Sequence, residues 1–171
     1  MNGGSLAIDS EAKEAIAFYS NQINDNSFAS EADESKPTIR SVVLNQDLLK
    51  KGHLEVNVTF SSPWELDPPL VGIVIYTKLG IPVLGSNTWL DPGFATLPVK
   101  EGTAKLTIKN LPLHSGNYKL SVWLGEKKQN YDSLRDVLQF EYISSTVLPQ
   151  ELSPDIIGAL NYPTCWNLET K

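Results

Sequence analysis

Cysteine, histidine, basic charge and long apolar runs are all scarce in this chain, and each scarcity removes a class of function. Cys165 is the one cysteine among 171 residues, which rules out an internal disulfide framework and suits a reducing compartment. His53 and His114 are the only histidines, one at a strand start and one in a turn, with no second ligand at metal spacing beside either. Lys and Arg total 14 against 20 Asp and Glu, a net charge of −6, so no basic face is expected for nucleic acid. No run of about 18 apolar residues exists, so no membrane-spanning helix is expected. The opening "MNGGSLAIDSEAKEA" lacks a basic stretch followed by an apolar one, and no secretory leader is expected. Without a leader, Asn57-Val58-Thr59 reads as a chance match to the glycosylation pattern.

What is present falls into three zones. In residues 1–24, "EAKEAIAFYSNQI" places Ala12, Ile16, Tyr19 and Ile23 on one helical face. Ser10 is a candidate cap, and Glu11 and Glu14 favour the first turn. A helix this short needs something to pack on. Residues 25–37, "NDNSFASEADESKPT" in context, are polar, acidic and without period, and read as a linker.

From Ile39 onward the pattern becomes that of strands. "HLEVNVTF" alternates strictly, with Leu54, Val56, Val58 and Phe60 on one face. "LVGIVIYTK" is apolar on both faces, and "KLG" turns it into "IPVLGSNTW", so 70–78 and 81–87 form a hairpin. "TAKLTIK" turns Ala104, Leu106 and Ile108 inward; "NYKLSVWLG" does the same with Tyr118, Leu120, Val122 and Leu124, and "DVLQFEY" with Leu138, Phe140 and Tyr142. Asp155–Leu160 reads as a further strand. Six or seven short strands with turns between them predict an all-β fold, an immunoglobulin-like antiparallel β-sandwich preceded by a short N-terminal helix and a linker.

No catalytic motif survives inspection. "VLGSNTW" has a serine but neither the glycines nor the following helix of a nucleophile elbow. "MNGGS" lacks the lysine and spacing of a phosphate loop. Glu55 and Glu141 are two outward carboxylates of the kind a glycosidase pairs, but solvated strand faces explain them more simply. The chain is read as a non-enzyme without a cofactor.

Aromatic placement is the positive signal. With its neighbours in the core, Trp123 must point outward together with Lys119 and Ser121; Gly72, Val74 and Tyr76 share an outer face, as do Val137, Gln139 and Glu141. Such a face suits a sugar, whose C–H side stacks on an aromatic ring while amides and carboxylates take its hydroxyls. Trp123, Tyr76, Asn57, Gln139, Ser121 and Glu141 are the candidate carbohydrate-binding residues. The same aromatics are equally explained if they lie under the N-terminal helix, the C-terminal tail or a second copy of the chain.

Four marks in order, "IRSVVL", "VGIVIYTKLGIPVLGSNT", "GTAKLTIKNLPLHSGNYKLSVWL" and "YDSLRDVLQFEY", resemble a known family across residues 38–143. It is the C-terminal carbohydrate-binding domain of Wzt-type ATP-binding subunits of O-antigen ABC transporters. "MNGGSLAIDSEAKEAIAFYSNQ" looks like the last strand and helix of an ABC nucleotide-binding domain, with Ser10 where glycine is more usual. The resemblance divides the chain into a nucleotide-binding-domain remnant (1–24), a linker (25–37) and a carbohydrate-binding sandwich with its C-terminal strand (38–171). It implies recognition of O-antigen polysaccharide at its non-reducing end, on the cytoplasmic side of the bacterial inner membrane. It further implies a homodimer with an exchanged C-terminal strand, and a membrane-spanning transporter subunit as partner of the full-length protein. "SSTVLPQELSP" is long enough to cross between subunits, and "DIIGAL" is apolar enough to need a partner strand. A scaffold or dimerisation domain that binds no glycan is the rival reading. By the same resemblance Gly85-Ser86-Asn87-Thr88 is structural, with Asn87 satisfying backbone groups at a strand end; Trp89 beside it packs or touches ligand.

Overall fold

The computed structural model describes residues 26–146, 148 and 154–168; the expected N-terminal helix and residues 1–24 lie outside them. Among the described residues, eight strands make two four-stranded antiparallel sheets. The first contains β1 (Ser27–Ala29), β2 (Thr38–Leu44), β3 (Leu54–Leu66) and β6 (Val99–Ile108), side by side in that order. The second runs β5 (Pro82–Asn87), β4 (Pro69–Thr77), β7 (Gly116–Glu126), β8 (Gln129–Tyr142). The expected β-sandwich is the observed fold, and the expected hairpin is β4–β5, turned where Gly80 takes a φ of 81°.

Alternation builds the interior. Val42, Leu54, Val56, Val58 and Phe60 from the first sheet meet Ile73, Ile75, Leu120, Val122, Leu124, Leu138 and Phe140 from the second in one buried cluster. Ala104, Leu106 and Ile108 of the edge strand β6 face the same way but are only half-buried. Two tyrosines in the cluster keep their hydroxyls satisfied. Tyr118 donates to the carbonyl of His114 four residues upstream at 2.7 Å, and Tyr142 donates to that of Leu111 at 3.2 Å. The Tyr118 contact is the corner that ties a strand to the preceding loop in many sandwiches. Burial, then the neighbouring Tyr142, pushes the Tyr118 hydroxyl pKa up to about 12.

Four local expectations are corrected. Within the stretch read as linker, Ser27–Ala29 forms β1 against β2. Its three residues are too short to show a period, but Phe28, 5% exposed, has core to bury itself in. A helical turn, α1 (Gln46–Leu49), interrupts the strands, capped by the Asn45 side chain accepting from the Leu48 amide at 3.2 Å. Val137 does not face outward: it is 5% exposed. β8 pairs Leu120 with Leu138 but Val122 with Leu134, so it carries two extra residues, and Asp136 takes a φ of 50° in the bulge. The bulge shifts the alternation and sends both Val137 and Leu138 inward. Lastly, Asp155–Leu160 is not a strand. Pro154–Ile157 forms a helical turn (α2), and Gly158, φ 92°, donates back to the Pro154 carbonyl at 2.9 Å. Proline suits the first helical position and glycine the stop. The segment's end makes one isolated bridge, Leu160 opposite Leu113, in which the Ala159 carbonyl accepts from the His114 amide at 2.9 Å.

Candidate functional site

The outer face of the second sheet is fixed by register. Gly72, Val74 and Tyr76 on β4 stand opposite Trp123, Ser121 and Lys119 on β7, and residues directly opposite share a face. On the flanks, β5 sets Asn87 beside Gly72, and β8 sets Ser133 beside Trp123 and Gln139 beside Lys119. One row therefore reads Asn87, Gly72, Trp123, Ser133, and another reads Tyr76, Lys119, Gln139. The rows lie about 13 Å apart along the strands, four residues at the usual rise.

Trp123 is half-buried although it is not part of the interior cluster. The reason is Gly72. A Cβ placed on that glycine would come within 2.2 Å of the indole Nε1, so the indole covers bare backbone. The ring thereby covers the strand at Gly72 on the outer face, where it can serve as a stacking platform. A glycine inside an otherwise apolar strand is the sequence signal for such close approach; alternation gives Gly72 its face but not this role.

The bulge in β8 organises the middle of the face. The Asp136 amide donates to Ser121 Oγ at 2.9 Å, and the Asp136 carboxylate holds Lys119 Nζ at 2.9 Å. Ser121 and Lys119 are thus tied locally, leaving Tyr76 and Gln139 beside them. Gln139 and Glu141 continue into a groove of about 630 Å3 bordered by Asn26, Gln46, Lys50 and Asn117. Of these, Asn117 follows the outward alternation of β7, whereas Asn26, Gln46 and Lys50 come from beside β1 and from α1 and its end, which a period-2 reading does not see.

Five of the six expected residues, Trp123, Tyr76, Ser121, Gln139 and Glu141, share this face. Asn57 does not. It lies on β3 in the first sheet, flanked by the inward Val56 and Val58, and so points to the opposite side of the sandwich. Alternation gives the side of a strand, not which sheet the strand joins; about 10 Å of packed interior separates the two.

The carboxylate pair fails for the same reason. Glu55 lies on the first sheet, 8% exposed, held by Lys105 Nζ at 2.6 Å and by the Asn45 amide at 3.0 Å. Those two hydrogen bonds hold its carboxyl below the ordinary glutamate range, and Glu141 is on the other sheet. Both histidines have structural surroundings: His53 Nδ1 accepts from the Asn110 amide at 3.0 Å, and His114 is buried at the Tyr118 corner. Among the described residues no group of His, Cys, Asp and Glu is placed to hold a metal ion. Asn87 caps the strand end as expected, its Oδ1 accepting from the Trp89 and Leu90 amides at 2.9 and 3.1 Å.

The family model described as the Wzt C-terminal domain matches residues 34–150. A solved structure, described as the crystal structure of the C-terminal domain of Wzt, superposes with a TM-score of 0.61. It is 14% identical, and the match covers 84% of this chain and 87% of that one; at that identity it speaks for the fold. No curated protein matches the sequence.

Proposed function

The chain belongs to the Wzt C-terminal domain family, and from that premise we propose that it recognises the O-antigen polysaccharide handled by an ABC export apparatus, without catalysis. The polymer lies on the outer face of β5, β4, β7 and β8. The observation that carries this reading is the Trp123 indole spread over Gly72, with Ser121, Tyr76, Gln139 and Glu141 on the same surface. An apolar ring with polar groups around it is what a pyranose needs on its two kinds of surface. Through the full-length protein the domain meets the membrane-spanning subunit, on the cytoplasmic side of the inner membrane. No helix among the described residues is long and apolar enough to cross a membrane.

Titrating the chain with the purified polysaccharide while following tryptophan fluorescence tests this. A saturable shift that disappears in Trp123→Ala supports it, and an unchanged spectrum with no heat of binding removes it.

A homodimer is the second element of the reading, and the tail favours it. Ile156, Leu160, Tyr162, Trp166 and Leu168 are 51 to 92% exposed, a density of bare apolar side chains that asks for a partner surface. Truncation after Ser144 should give monomer or aggregate. A truncated chain that sediments as the same dimer as the full one excludes exchange of the C-terminal segment.

A further inference from the structure

The outer face of the second sheet continues past Trp123 toward the β7–β8 turn. Leu70 stands two residues before Gly72 on β4 and so points to the same face. It is only 6% exposed, yet it is not part of the interior cluster. It lies in a cleft of about 320 Å3 with Pro68, Trp89, Lys127 and Lys128, whose walls are almost wholly apolar.

Trp89 is 72% exposed, but the backbone that carries it is pinned. Asn87 accepts from its amide and from that of Leu90, and Thr88 Oγ1 donates to the Pro69 carbonyl and accepts from the Val71 amide, both at 3.2 Å. With the backbone fixed, ordering this open indole against a ligand costs only its own side-chain torsions. Lys127 and Lys128 occupy the two-residue turn, Lys127 with a φ of 53°. Neither forms an ion pair among the described residues. The adjacent acid, Glu126, is engaged by the Asp67 amide at 2.6 Å and the Tyr131 hydroxyl at 3.4 Å. Two ammonium groups with no ion-pair partner among the described residues therefore border an apolar shelf on a chain of net charge −6.

We propose that this cleft is a second sugar subsite, continuous with Trp123, that takes a pyranose carrying a negative charge. The C–H side of the ring rests on Trp89, Leu70 and Pro68, and the ammonium groups take the anionic substituent, a carboxylate or a phosphate. The proposal rests on the reading of the outer face as the glycan surface. A membrane headgroup layer would offer the same charges, but the chain's acidity opposes a negatively charged bilayer, and the cleft adjoins the Trp123 row.

The test titrates the full chain with polysaccharide from the producing cells in three forms: native, carboxyl-reduced and dephosphorylated. The variants are Trp89→Ala, the double Lys127→Gln/Lys128→Gln, and Trp123→Ala, each checked by thermal melt. The double variant should bind native polymer about tenfold more weakly at low salt and lose most of the salt dependence. Removing the responsible anionic group from the polymer should cost the wild type the same factor and the double variant nothing further. Trp89→Ala should weaken every form by a similar factor. Wild-type affinity in the double variant, with Trp123→Ala still defective, would overturn this subsite and leave the glycan face standing. Failure of all polymer forms to bind the wild type would remove the glycan face and the subsite together. Loss of binding to anionic lipid vesicles, with glycan binding intact, would reassign the cleft to the membrane.

Discussion

On the outer face of the first sheet, Lys105 reaches Glu55 at 2.6 Å, Asn45 donates to the same carboxylate, and Thr59 meets Thr103 at 2.9 Å. On the outer face of the second, an indole lies on bare backbone, and a phenol, an amide and a carboxylate stand along the strands beside it. Both faces come from the same alternation over the same interior. The first closes its polar groups on one another across β3 and β6, as opposed side chains in a sheet do. The second combines an apolar platform with polar neighbours, which is the composition of a ligand surface. Glycine makes the difference. Gly72 removes one side chain from the central strand pair and lets the neighbouring indole cover the backbone there.

The comparison is broken most severely by removing what the faces share. Leu120 is fully buried on β7, between the outward Lys119 and Ser121. Leu120→Ala should cost about 2–5 kcal/mol of stability, the range for a large-to-small change in a close-packed core. Chemical denaturation measures it, and whatever fraction stays folded should bind glycan normally. A binding defect larger than the folded fraction explains would mean that the outer face is set by the interior side chain and not by register.

A sharper break acts on one face alone. Gly72→Ala puts a methyl where the Trp123 indole lies, at a separation no real Cβ contact allows. The indole is a side chain with solvent above it, so it should lift away and the fold should survive. Glycan affinity should fall by about 1–3 kcal/mol, as for Trp123→Ala, because either change removes the stacked platform. Calorimetric titration beside a thermal melt separates the two effects. Full affinity in Gly72→Ala would show that the sugar does not use the ring in this posture.

Tyr118 tests the interior under the binding face by pH. Its hydroxyl is ordinary in the unfolded chain, near 10.0, and raised to about 12 by burial in the fold. The fold therefore favours the neutral form. That contribution is complete below pH 10 and is lost as pH rises toward 12, where the unfolded chain releases the proton first. Tyr118→Phe should cost about 1 kcal/mol at neutral pH through the lost bond to the His114 carbonyl. It should also flatten the alkaline limb of the stability curve, with Tyr142 supplying what remains. Denaturation midpoints from pH 8 to 12 give both numbers. Glycan binding at neutral pH should not change.

Legibility in the sequence followed the same division. Wherever a strand alternated without interruption, as in Leu54 to Phe60 or Tyr118 to Leu124, inward and outward residues were read correctly, and the sandwich followed from counting such strands. Reading stopped where the period broke. The two extra residues of β8 turned Val137 inward, and nothing in "SLRDVLQF" marks a bulge. β1 has three residues, one of them buried, and no period can be seen in three. Apolar "DIIGAL" resembles a strand only while Pro154 belongs to the loop before it; as the first helical residue, Pro154 makes the segment a turn. For the site, side was legible but sheet membership was not, since pairing depends on the path of the whole chain.

Asn57 is the residue on which that limit can be measured. From alternation alone it is as outward as Ser121, and a sugar-binding role would be equally plausible for both. The fold sends it to the far side, where its cross-strand neighbours are Val43 and Lys105 and no aromatic platform accompanies it. Asn57→Ala should leave glycan affinity within about twofold of wild type, less than the roughly 0.5–1.5 kcal/mol that a usual neutral hydrogen bond contributes. Stability should stay within about 0.5 kcal/mol, as for most surface substitutions. Ser121→Ala on the other sheet is the matched control. It removes the acceptor for the Asp136 amide at the edge of the platform, so it should weaken binding where Asn57→Ala does not. If Asn57→Ala lowers affinity as much as Trp123→Ala, the polysaccharide is held on the self-paired face of the first sheet, and the contrast between the two faces has been assigned the wrong way round.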